Sequence, residues 1–220
     1  MIAASEALLL AIRGHDSAKV AELLDHDPEA RSFTGPSGES LVLHACYSGA
    51  SELAPLLLGT RPPDAAEAAA LGDVPALDAA LSRDADLISR RTRDGWTPLH
   101  LAGFFGRENA AEFLIEAGAP LDAHSTNATR NTPLHAALAG ACVHALVRRL
   151  VMAGASVTAL GEHAITPLHI AASRGDAVLC DLLIARGANP HARMDDGTTP
   201  AQLATARGFA DLADKLIAMA

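Results

Sequence analysis

The chain has 220 residues, of which half are hydrophobic and only 3% aromatic, and its 26 acidic against 17 basic side chains leave a formal net charge of −9. That length allows one domain or two with a sizeable core, and an apolar content dominated by alanine and leucine favours closely packed helices. A general affinity for nucleic acid is not expected without a basic footprint, and no run of about 18 apolar residues offers a membrane span.

The three cysteines, Cys46, Cys142 and Cys180, form no CxxC pair, and their odd number leaves no complete disulfide framework. They read as small core hydrophobes in a reducing compartment. The opening MIAASEALLLAIRGHDS has an apolar centre but no basic n-region, and Arg13 and His15 follow without a small-residue cleavage site. A secretory signal is therefore not expected, and the cytoplasm is the default location.

In chain order, the first element is EALLLAIRGHDSAKVAELLD at 6–25, two short helices separated at Gly14. The second, SGESLVLHACYSGASELAPLLLG at 37–59, opens at Ser40 and turns at Gly49. The third, DAAEAAALGDVPALDAALSRD at 64–84, is a helix pair centred on Gly72. The fourth, DGWTPLHLAGFFGRENAAEFLIEAGA at 94–119, is a full-length copy. There Thr97 is a good N-cap, and Pro98 suits the first helical position, where no amide hydrogen is missed. Leu99 and Ala102 face inward, and Gly106 closes the first helix. A second helix over about Glu108–Ala117 buries Ala111, Leu114 and Ile115 before Gly118 releases the chain. The fifth copy, RNTPLHAALAGACVHALVRRLVMAGAS at 130–156, has Ala141 as its separator. The sixth, AITPLHIAASRGDAVLCDLLIARGANP at 164–190, turns at Gly175, and the seventh, DGTTPAQLATARGFADLADKLIAMA at 196–220, turns at Gly208.

The phrase Thr-Pro-Leu-His thus stands at 97–100, 132–135 and 166–169, at intervals of 35 and 34. Self-similarity at such a period signals a solenoid, whose modules bury their faces against one another. Phrase, mid-module glycine and closing Gly-Ala recur together, and on these residues the chain resembles the ankyrin-repeat family. The unit of that family, about 33 residues, is a β-turn and two antiparallel helices with T-P-L-H-x-A as signature. The resemblance implies an all-α solenoid of stacked helix-loop-helix modules with β-turn or hairpin fingers, spanning 1–220 as a single domain. The modules fall at approximately 1–32, 33–59, 60–89, 90–123, 124–159, 160–192 and 193–220. The step from Gly49 to Gly72 is only 23 residues, so GTRPP at 59–63 replaces the long finger used elsewhere. A notch is expected there, between the fingers around 33–39 and 89–96. The last module replaces Leu-His with Ala201 and Gln202 and carries Asp211, Asp214 and Lys215, while the first carries Lys19, Glu22 and Asp25. Both ends read as capping modules with wetted faces, and the Ala-rich, free-standing form resembles bacterial members of the family.

His100, His135 and His169 occupy one module position, and stacking sets them about 10 Å apart, too far to share a metal ion. By the resemblance each imidazole ties neighbouring backbone together, so Thr97 with His100, Thr132 with His135 and Thr166 with His169 are structural pairs. The finger histidines His124, His163 and His191 lie at differing distances from their Gly-Ala and read as exposed loop residues, with no metal or cofactor implied. No G-x-S-x-G elbow, phosphate-cradling loop or H-E-x-x-H is present, and Cys46 and Cys180 read as buried thiols, so no catalytic site is expected.

The resemblance places partner contacts on finger tips and on exposed positions of each first helix. The candidates here are Tyr47, Trp96, Leu101, Phe104, Phe105, Leu138, Ile170 and Arg174, with Glu39, His44, Ala70 and Ala136 at equivalent positions. Four of the seven aromatic residues, Tyr47, Trp96, Phe104 and Phe105, fall in this set. Exposed aromatic clusters are enriched at binding hot spots, and the competing reading is that the two phenylalanines pack against adjacent helices. Arg90, Arg91 and Arg93 of the fourth finger either steer an acidic partner segment, with Arg91 as a contact, or form a solvated charged loop. The expected function is that of a non-catalytic protein-binding adaptor or inhibitor, monomeric in isolation. An accessory stabiliser of a partner enzyme is the alternative, and metal or small-ligand binding a more distant one.

Overall fold

The computed structural model describes residues 2–219, and its α-helices follow one another in pairs: α1 (Ile2–Arg13) with α2 (Ser17–His26), α3 (Leu41–Tyr47) with α4 (Ala54–Leu58), α5 (Ala65–Leu71) with α6 (Val74–Arg83), α7 (Pro98–Phe104) with α8 (Glu108–Glu116), α9 (Pro133–Ala139) with α10 (His144–Ala153), α11 (Pro167–Ser173) with α12 (Ala177–Ala185), and α13 (Pro200–Ala206) with α14 (Ala210–Ala218). Each odd-numbered helix packs on its own partner and on the odd-numbered helices before and after it, which makes an inner row backed by an outer one. Most inner helices have seven residues, too few to hold a helix alone. Their stability comes from neighbours on three sides, and small alanines let those neighbours close in.

The Thr-Pro phrases start helices as their residue types dictate. Thr97, Thr132, Thr166 and Thr199 are N-caps in extended backbone, each followed by proline at the first helical position. At the third helical position the histidine turns back on the cap. Thr97 N donates to His100 Nδ1 at 3.3 Å, and the Thr97 hydroxyl lies 2.7 Å from the same nitrogen. With Nδ1 occupied as acceptor, Nε2–H donates to the next finger's carbonyl: His100 to Asn131 at 2.9 Å, His135 to Ile165 at 3.2 Å, His169 to Thr198 at 3.2 Å. Each ring thus joins two modules by a buried hydrogen-bond pair. Gln202 takes the same position in α13, and its Oε1 accepts the Thr199 amide at 2.8 Å.

The fingers are tight turns, each closed across its ends by a backbone bond. Gly35 N donates to Glu39 O, Thr92 N to Trp96 O, Ser125 N to Asn131 O, Gly161 N to Ile165 O and Met194 N to Thr198 O. Among the described residues the β-pairing is a lone bridge between Thr34 and Ser40. Successive fingers also bond to one another, through Thr126 N to Gly95 O at 3.1 Å, Glu162 N to Thr129 O at 2.8 Å and Asp195 N to His163 O at 3.0 Å.

Two separators differ from expectation. In the first pair the left-handed residue is His15 (φ 55), one later than Gly14, and Asp16 N then donates back to Ala11 O. In the fifth pair Ala141 avoids the left-handed region and Cys142 (φ 51) takes it instead. Gly140 lies against the Phe104 carbonyl, where an added Cβ would come within 2.0 Å, and Ala141 N donates to that carbonyl at 2.8 Å. Glycine is used where φ is positive at Gly106 (φ 66), with Ala141 and Val143 side chains 2.8 Å from where a Cβ would stand.

The core is interrupted where the finger is missing. One cluster runs from Ala65 to Leu216 and another from Leu8 to Leu57. A small third cluster, Leu43, Cys46, Ala70 and Leu101, joins them along the inner row. Here Glu67 stands where the histidine stands in later modules. A carboxylate has no proton to give the next finger's carbonyl, so Glu67 serves its own loop. It accepts the Asp64 amide at 3.0 Å and both terminal nitrogens of Arg61 at 2.6 and 2.7 Å. Burial alone would raise the Glu67 carboxyl, but the Arg61 guanidinium, the Asp64 amide and the Ser40 hydroxyl outweigh it and hold it below the usual carboxylate range.

Candidate interaction surface

The ends of the inner helices and the finger turns bring four aromatic rings together. α3 ends at Tyr47, α7 ends at Phe104 followed by Phe105, and the fourth finger delivers Trp96 just before α7. Ring centroids are 5.2 Å apart for Trp96 and Phe104, 5.2 Å for Phe104 and Phe105, and 5.2 Å for Tyr47 and Phe105. The first two contacts are edge-on, the arrangement favoured by the ring quadrupoles. Trp96 also leans on the His100 imidazole at 5.7 Å, so the surface rings rest on the buried ladder. Trp96, Phe104 and Phe105 are half-buried, and Tyr47 is 37% exposed. The rings pack on one another and still present their outer surfaces, so packing and exposure coexist.

Polar bonds fix the shelf. Tyr47 donates its hydroxyl to Asp94 Oδ2 at 2.7 Å, which ties α3 to the fourth finger across the gap. Trp96 N donates to Thr92 Oγ1 at 3.1 Å, and that hydroxyl donates to Asp94 Oδ1. Burial and the neighbouring Asp94 push the Tyr47 phenol well above its ordinary value, so it stays a donor. Beneath, His44 and Glu39 form a buried pair with Nδ1 and Oε1 2.8 Å apart, and Glu39 Oε2 accepts the Ser37 amide at 2.8 Å. Arg13 Nε donates to His44 Nε2 at 3.4 Å, so Nδ1 carries the ring proton toward Glu39.

Several residues expected on this surface lie under it. Leu101 and Leu138 are 0% exposed, Ala70 and Ala136 likewise, and His44 and Glu39 only 6% and 5%. The reason is geometric. A two-turn helix flanked by neighbours on both sides and an outer helix behind keeps only its last residues and one narrow stripe in solvent, and the position after the histidine faces the adjacent helix. Leu101 lies in the small joining cluster and Leu138 in the long core. Ile170 is half-buried and Arg174 exposed, the latter reaching Ala139 O at 3.4 Å, and both belong to the sixth pair rather than the aromatic shelf. Arg91 donates from Nε and Nη2 to His124 O at 3.2 and 2.9 Å.

The gap left by the short 59–63 connection is real and is crossed by Arg93, whose side chain lies over Gly38, 3.3 Å from where a Cβ would stand. Two clefts result. One, about 590 Å³, is lined by Tyr47, Trp96, Asp94, Glu39 and Asn127. The other, about 450 Å³, is lined by Arg31, Arg61, Arg91, Arg93 and Leu43. They share Glu39 and Arg93. Sequence reasoning placed the notch but missed Arg31 and Arg61 beside it. The arginine within GTRPP was the available signal.

Cys46 and Cys180 are core residues, whereas Cys142, in left-handed backbone at the turn of the fifth pair, is only half-buried. Burial pushes Cys46 up to about 11 and Cys180 up to about 12, which leaves both protonated and unreactive near neutrality. The finger histidines go separate ways: His124 Nδ1 lies 2.7 Å from Arg130 O, His163 lies near Glu162 and Asp195, and His191 is exposed. At the last pair, Lys215 bonds to Asp181 of the preceding outer helix at 2.7 Å. Among the described residues no helix is long and apolar enough to cross a membrane.

Known proteins share this architecture in sequence. The family profile described as "Ankyrin repeats (3 copies)" matches residues 65–160 and 138–220. The chain is similar to human B-cell lymphoma 3 protein, 40% identical over 95 residues, which cover 41% of this chain and 20% of that protein. It is similar to the Drosophila melanogaster neurogenic locus Notch protein, 37% identical over 92 residues, covering 42% of this chain and 3% of that protein. It is also similar to human neurogenic locus notch homolog protein 4, 40% identical over 91 residues, 41% of this chain and 4% of that protein. The matched stretch is a fifth or less of each relative. With the family profile covering residues 65–220, and with the Thr-Pro-Leu-His ladder joining its stacked helix pairs, the chain belongs to the ankyrin-repeat family.

Proposed function

We propose that this chain is a non-catalytic, monomeric protein-binding adaptor or inhibitor of seven modules acting in the cytoplasm, and that it holds its partner on the aromatic shelf of Tyr47, Trp96, Phe104 and Phe105. The reading is supported above all by one observation: four rings converge at the inner-helix ends and remain partly open to solvent beside the finger gap. Aromatic anchors flanked by polar groups are the chemistry of a binding hot spot. The scaffold beneath is held by buried bonds and meets a partner with little backbone movement.

Affinity capture with the tagged chain tests this. Trp96→Ala and Phe104→Ala are expected to weaken capture of a specific partner by tenfold or more, the loss of a hot-spot side chain of about 2 kcal/mol. Leu114→Ala, which lowers stability from within the core on the buried face of the outer helix α8, is expected to retain the partner at temperatures where it stays folded. Equal capture by wild type, Trp96→Ala and Phe104→Ala would place the interface elsewhere.

A further inference from the structure

Resting on the partner-binding reading, we propose that the finger gap between modules two and four takes an extended acidic segment of the partner, with one large apolar side chain on the aromatic shelf and carboxylates against Arg31, Arg91 and Arg93. In effect the guest occupies the place of the missing finger.

Charge is the first support. In a chain of net charge −9, four arginines from three separate stretches line one cleft. The carboxylates of that cleft are already committed. Glu39 is bound to His44 and the Ser37 amide, Glu67 to Arg61 and the Asp64 amide, and Asp64 accepts the Glu67 amide at 2.8 Å. The guanidinium groups are less occupied. Among the described residues Arg31 uses only Nε, donating to Leu56 O at 3.2 Å. Arg91 leaves Nη1 unused, and Arg93 donates to no group of its own cleft among the described residues. Planar guanidinium forks of this kind recognise carboxylates bidentately, more strongly than neutral donors do.

Continuity is the second support. The arginine cleft and the aromatic cleft share Glu39 and Arg93, so a segment lying along the gap reaches both. The third is the unmet backbone contact. Fingers four to seven are bonded one to the next, whereas the step from the second finger to the fourth is made by side chains, Arg93 over Gly38 and Tyr47 to Asp94. An extended strand fits where the regular finger is absent, as strand addition fits an open edge.

The test is fluorescence anisotropy on the full chain with a short fluorescein-labelled peptide in which one phenylalanine stands between two runs of glutamate. Comparison peptides replace every glutamate by glutamine, or the phenylalanine by serine. The glutamate peptide is expected to bind, with affinity falling as salt rises. Either replacement is expected to weaken binding about tenfold or more, as is the double variant Arg91→Ala/Arg93→Ala. Arg93→Ala alone, which breaks no hydrogen bond of the fold, should show part of that loss at an unchanged urea midpoint. Equal binding of glutamate and glutamine peptides, full binding by the double variant, or no binding by any peptide would overturn the proposal. Sedimentation showing concentration-dependent self-association abolished by Arg93→Glu would overturn it in favour of a second copy. Partner capture lost with Trp96→Ala but kept with Arg91→Ala/Arg93→Ala removes the acidic segment and leaves the interaction reading. Capture indifferent to Trp96 removes the interaction reading whatever the peptides do.

Discussion

Lowering the pH from about 6.5 to 4 is expected to cost roughly 3 kcal/mol of folding stability for each of His100 and His135. Burial depresses both imidazoles to about 4, and His169 is lowered by the same cause. The unfolded chain therefore binds protons in this window that the folded chain refuses. Stability is complete above the ordinary histidine value and falls as pH drops through the window, levelling below the folded value. The structure explains the refusal. Nδ1 already accepts from the threonine amide, so a second ring proton would oppose that N–H and would charge a fully buried group. Urea midpoints measured across this range should fall steeply, and His135→Gln should reduce the slope. A midpoint unchanged between about pH 7 and pH 5 would mean that the rings are not buried neutral ties.

Arg61→Ala carries the second large effect, a loss on the order of 3 kcal/mol at neutral pH. The Glu67 side chain is 1% exposed, and its two strongest partners are the terminal nitrogens of Arg61. Removing the guanidinium leaves an ionised carboxylate in the core with only the Asp64 amide and the Ser40 hydroxyl beside it. Arg61 is itself 43% exposed, so the cost arises from the abandoned acid rather than from the pair's net attraction. The double change Arg61→Ala/Glu67→Gln should recover a large part of the loss, because glutamine keeps the amide contact without the charge. Chemical denaturation of the three variants checks this, and equal stability of wild type and Arg61→Ala would contradict it.

Much of the fold is legible because its signals are local. A Thr-Pro start, a histidine three residues after the cap and a glycine between helices each have a short-range physical reason, and they recur at one spacing. Residues that depend on the neighbouring module are harder to read. Leu101 directly follows its histidine and Leu138 stands three residues past its own, positions read as exposed on an isolated helix, yet neighbouring inner helices cover both in the stack. Nothing within its own helix reveals that Glu67 holds the histidine position and that Arg61 answers it. His15 and Cys142 took left-handed backbone that glycine elsewhere supplies, since the helix pair needs the turn whatever residue is present. For the surface, the aromatic set could be listed from sequence, but its division into a shelf above and a leucine core below required three dimensions. The notch was legible from the short step between Gly49 and Gly72, while Arg93 bridging it was not.

Hydrogen exchange of the chain alone and with its captured partner tests the interaction surface most directly. Protection should appear in the fingers at 34–40 and 92–96 and at the ends of α3 and α7, with the outer helices α8, α10 and α12 unchanged. Protection confined to those outer helices, with both fingers exchanging as freely as before, would contradict it.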